Sequence, residues 1–70
     1  MDVKVTVYLK SGGDTSMIIY DTTLEEQDKQ YSKFFEKGIE NNIICHQTNS
    51  EVMFIPVSNI AGLSLKELPK

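Results

Sequence analysis

The chain has 70 residues and a mass of 7.9 kDa, enough for one domain and too short for two. Its cations are seven lysines with no arginine, set against ten acids, so the formal charge is 7 − 10 = −3; that balance argues against the basic stripe of a nucleic-acid binder. A hydrophobic fraction of 40% with 24% charged residues argues against wholesale disorder, and the apolar run from Met53 to Val57 falls far short of the ~20 residues of a membrane span.

Cys45 is the single cysteine, so no internal disulfide can form. The N-terminus alternates Met1, Asp2, Val3, Lys4 and lacks the apolar stretch of a signal peptide. These features lead to the expectation of one cytoplasmic domain over residues 1–70.

Residues 3–10 alternate. Val3, Val5, Val7 and Leu9 point one way, and Lys4, Thr6, Tyr8 and Lys10 the other. A period of two with β-branched residues is the pattern of a half-buried strand. Ser11-Gly12-Gly13-Asp14 supplies a turn, because two glycines reach positive φ at little cost. A second strand over 15–20 completes a hairpin. The glycine pair opens onto a strand and not onto a helix N-terminus, so it lacks the setting of a phosphate loop.

Residues 21–26 read as a helix start. Thr23 with Glu26 fits a capping box, with Thr22 and Glu25 as the alternative one residue earlier. Glu25, Glu26 and Asp28 lie where the helix dipole favours negative charge. Leu24, Tyr31, Phe34 and Phe35 form an apolar stripe, and Lys29, Lys33 and Lys37 a solvated row. Gly38 suits the residue after the helix end, with Ile39 folding back on Phe34 or Phe35. The acids between Asp21 and Asp28 also raise the possibility of DNA mimicry, although capping explains three of the four and a charge of −3 is weak for imitating a polyanion.

Residues 43–47 read as a third strand, 48–51 as a turn, and 52–55 as a fourth strand ended by Pro56. Residues 57–62 suit a tight connector with one 3₁₀ turn capped by Ser58 or Asn59. Residues 63–66 alternate as a short fifth strand, and 67–70 form a polar tail.

Cys45 and His46 would lie on opposite faces of the third strand and could not act as a catalytic dyad. Two nitrogen or sulfur ligands fall short of a zinc site. No nucleophile elbow, zinc-protease or nucleotide signature occurs. The reading is therefore a non-enzyme with no catalytic residues, no cofactor and no metal.

Strands two and four are apolar at consecutive positions and so present apolar side chains on both faces. One helix covers only one face of a sheet. The second face then calls for another copy of the chain or a protein partner, the alternative being strands that curl so that the helix and the 57–62 connector cover it. Tyr8, Met17, Ile18, Ile19, Tyr20, Met53 and Phe54 are the candidate partner-binding residues, with half of each strand's set facing outward. The alternative is a nucleic-acid role, either acidic mimicry or single-strand binding in which Tyr8, Tyr20 and Phe54 stack bases beside Lys4 and Lys10.

The stretch from Phe54 to Leu65, FIPVSNIAGLSL, resembles the ending of short uncharacterised proteins from low-GC Gram-positive bacteria and their phages. The resemblance covers about the last quarter of the chain and implies an origin without a functional residue. It suggests a phage-type regulator or inhibitor of a host factor.

The expected architecture is α+β, ordered ββαββ with a further short strand: a two-layer fold of antiparallel hairpins with one helix packed on one sheet face. The expected function is a small protein-interaction module, homo-oligomeric or bound to one protein partner, with neither membrane nor nucleic acid as its target.

Overall fold

A computed structural model describes residues 1–35, 43–47 and 49–69, with only the backbone at Phe34. The elements run β1 (Asp2–Leu9), β2 (Asp14–Ile19), α1 (Leu24–Ser32), a 3₁₀ turn (Lys33–Phe35), β3 (Ile43–Gln47), β4 (Val52–Pro56), a second 3₁₀ turn (Val57–Asn59) and β5 (Ile60–Leu68). The α+β order expected from the sequence is the observed one.

The strands form two antiparallel sheets. One is three-stranded in the order β2-β1-β5, and the other is the β3–β4 ribbon. Strand β1 is central, paired with β2 on one side and β5 on the other, and its alternation is reflected in burial: Val3, Val5 and Val7 are fully buried while Lys4 and Tyr8 are exposed. Each buried valine contributes about 1.5–3 kcal/mol of apolar burial.

The hairpin turn has a specific cause. The Gly12 N–H donates to the Leu9 carbonyl and the Leu9 N–H to the Gly13 carbonyl, both at 3.1 Å. Gly12 has φ 101° and Gly13 φ 84°, values that L side chains rarely adopt. This is a three-residue loop ending in a glycine bulge.

At the β2–α1 junction Asp21 adopts φ 54°, and its N–H donates to Asp2 Oδ1 at 3.2 Å. Aspartate tolerates this left-handed conformation better than most residues. Thr23 is the N-cap, its hydroxyl accepting the Glu26 N–H at 3.1 Å. The other half of the capping box differs from the expectation: the Glu26 carboxylate accepts the Thr22 hydroxyl at 3.0 Å. The helix buries Gln27 and Tyr31, while Leu24 and Phe35 of the expected stripe are exposed. Gly38, Ile39, Lys37 and Thr48 lie outside the described residues.

Several boundaries move. Strand β2 runs Asp14–Ile19 and β4 includes Pro56. Strand β5 runs nine residues, beginning at Ile60 within the expected connector and including Glu67 and Leu68 of the expected polar tail, because β1 offers pairing partners from Leu9 to Asp2. The second 3₁₀ turn follows Pro56 and has no side-chain cap, so neither Ser58 nor Asn59 caps it.

The core lies between the two sheets. Val3, Val5, Val7 and Ile60 meet Ile44, Ile55 and Val57, with Tyr31 joining from the helix. The helix therefore shares the covering of the β1 face with the β3–β4 ribbon, which sequence reasoning had assigned to the helix alone.

Candidate functional site

Pairing register decides where each candidate side chain points. Val3, Val5 and Val7 pair with Ile19, Met17 and Thr15 of β2, so these three face the core side. Met17 and Ile19 are accordingly half-buried, and Ile19 packs against the core. The Met17 sulfur accepts the Gln47 N–H at 3.3 Å, which ties the end of β3 beneath β2. Ile18 lies opposite Lys4 on the outer face, and Tyr8 lies opposite Asp14. Tyr8, Ile18 and Tyr20 are exposed, Tyr20 by 69%.

The outer face of the three-stranded sheet is mixed. Its cross-strand rows are Ile18-Lys4-Lys66, Ser16-Thr6-Ser64 and Asp14-Tyr8-Gly62. The continuous apolar second face expected there from strand two is absent, because hydroxyls and lysines separate Tyr8 from Ile18.

The β3–β4 ribbon carries the continuous apolar surface. Ile44 pairs with Ile55 and His46 with Met53 on the inner side. The outer side holds the pairs Ile43–Pro56, Cys45–Phe54 and Gln47–Val52. Ile43, Val52 and Phe54 are 54%, 49% and 69% exposed. Phe54 sits in the middle row, with no charged side chain among the six.

Of the seven candidates, the structure thus places Tyr8 and Ile18 outward on one sheet, Tyr20 exposed just past the end of β2, and Phe54 outward on the other sheet. Met17, Ile19 and Met53 turn inward. Ile43 and Val52 were missed as surface residues. The sequence signal that could have found Ile43 was its place beside Ile44 in a strand, since period two sends the two to opposite faces.

Cys45 is exposed and His46 is 2% exposed, on opposite sides of the ribbon. Neither ring nitrogen of His46 has a hydrogen-bond partner among the described residues. Burial pushes its imidazole below the ordinary histidine pKa, and the neighbouring Val5 backbone offsets this only in part. Burial also raises the Tyr31 phenol. No group of three or more His, Cys, Asp or Glu side chains suits a metal among the described residues.

The acidic segment is occupied locally. Glu25 pairs with Lys29 at 3.6 Å, Glu26 accepts from Thr22, and Asp28 accepts the Ser32 hydroxyl at 3.1 Å. No described helix is long and apolar enough to cross a membrane.

Comparison with known families, curated proteins and solved structures finds no match to this chain.

Proposed function

We propose that the protein is a non-enzymatic protein-interaction module whose docking surface is the outer face of β3–β4. The observation that carries this reading is the exposure of Ile43, Val52 and Phe54 on one uncharged ribbon face. Contiguous exposed apolar surface marks interaction sites, and a central aromatic side chain is the usual anchor. The partner is a protein with an apolar pocket that receives the Phe54 ring and an apolar rim for Ile43 and Val52. With the resemblance at its C-terminal end, the same surface suits a phage-type regulator or inhibitor of a host protein.

The nucleic-acid alternative has less support. Its three aromatic residues are divided between two sheets, and Tyr8 lies directly opposite Asp14, where a phosphate would be repelled. The acids that might imitate DNA are largely engaged along their own helix.

Affinity purification from the natural host tests the reading with wild type, Phe54→Asp and Tyr8→Asp, each checked for folding by circular dichroism. The expected result is a co-purifying protein lost with Phe54→Asp and retained with Tyr8→Asp. Identical co-purifying sets for all three folded proteins would overturn it.

A further inference from the structure

We propose that the chain forms a homodimer through the free edge of β2, two copies pairing antiparallel to make one continuous six-stranded sheet. Among the described residues β2 pairs with β1 on one side and with no strand on the other. Hydrogen bonding alternates along an antiparallel pair. From the bonded Leu9–Gly13 pair at the turn, Thr15, Met17 and Ile19 direct their backbone groups to β1. Ser16 and Ile18 direct theirs outward, as a row of donors and acceptors with no strand partner among the described residues.

Such an edge recruits another strand unless something blocks it. The opposite edge, β5, is protected by charge: it carries the exposed Lys66 and Glu67, with α1 packed nearby. Strand β2 has no lysine, proline or bulge, and its only charge is Asp14 at one end. A groove of about 600 Å³ runs beside it, lined by Ser16 to Tyr20 with Gln47 and Asn49.

The composition of β2 selects a second copy of itself. A two-fold axis at Met17 sets Ser16 and Ile18 in reciprocal bonded pairs and places Ile19 against Thr15, both β-branched. It also keeps the two Asp14 carboxylates at opposite ends, and carrying the pairing one residue past Ile19 sets each against a Tyr20 phenol that can donate to it.

Sedimentation across a concentration series tests this with wild type, Ser16→Pro, Ile18→Lys and Phe54→Asp. Proline at 16 removes an outward N–H and leaves the β1 ladder intact, and Ile18→Lys serves as an independent block if the proline disturbs folding. The expected result is a reversible wild-type dimer whose Kd rises about tenfold or more in both edge variants and is unchanged in Phe54→Asp. A wild type that stays monomeric throughout, or folded edge variants that dimerise like wild type, would overturn the proposal. A dimer lost only with Phe54→Asp would also overturn it, while leaving the ribbon face as a docking surface.

Discussion

Lys4 and Lys66 stand directly opposite each other across the β1–β5 ladder, on the outer face of the three-stranded sheet. Both are exposed. Like charges in this position are destabilising, by roughly 0.2–1 kcal/mol. Lys66→Glu turns the repulsion into an attraction. A gain of about 0.5–1 kcal/mol in urea unfolding is expected at low salt, shrinking as salt screens the pair. No gain at low salt would mean that the two ammonium groups splay apart.

A second expectation concerns pH. The folded pKa of His46 lies below its unfolded value, because burial disfavours the charged ring. As pH falls through about 6.5, the unfolded chain takes up a proton that the folded chain refuses, so stability declines. The decline continues until the lower folded pKa is reached, and well above pH 7 this group contributes almost no slope. His46→Leu removes the term and also removes two buried ring nitrogens for which the described residues supply no well-formed hydrogen bond. Urea midpoints at pH 7.5 and 5.5 should therefore differ less in the variant than in wild type. Equal differences would place the acid sensitivity on other groups.

The threonine pair before α1 offers a graded test. Thr23 satisfies one N–H of the helix start, so Thr23→Ala should cost about 1 kcal/mol. Thr22 does more. Its hydroxyl accepts from Gln27 Nε2 at 2.9 Å and donates to Glu26, and its N–H donates to the Met1 carbonyl at 2.6 Å. Gln27 is buried, and its Oε1 has no partner among the described residues. Thr22→Val would strip the amide of its one described bond, at a cost of about 1–3 kcal/mol. Chemical denaturation should rank Thr22→Val as the more damaging change. The reverse order would show that the Gln27 side chain finds water.

The first hairpin was legible because one strand alternates cleanly and the turn carries two glycines at the positions that need them. The helix start was legible from Thr23 and Glu26. The facing of β2 was not, since Met17, Ile18 and Ile19 are apolar in succession; only their register against Val5, Lys4 and Val3 assigns a side. The length of β5 was hidden for a related reason. Ala61, Gly62 and Glu67 are poor strand formers, and pairing with β1 overrides their local preference. The covering of the core was misassigned because a helix stripe is visible in sequence, whereas the docking of a ribbon through Ile44 and Ile55 depends on contacts distant along the chain.

That docking yields the sharpest mutational contrast. Ile43 and Ile44 are chemically identical neighbours, one 54% exposed and the other 2% exposed. Ile44 packs between the sheets against the β1 valines, so Ile44→Ala leaves a cavity and should cost about 2–4 kcal/mol. Ile43→Ala removes methyl groups already in contact with water and should stay within about 0.5 kcal/mol. A ribbon turned over against the three-stranded sheet would exchange every inner and outer side chain. The two values would then exchange too, and Phe54 would leave the proposed docking face for the core. Measured unfolding free energies for the two alanine variants therefore test the facing on which the surface assignment of Ile43, Val52 and Phe54 rests.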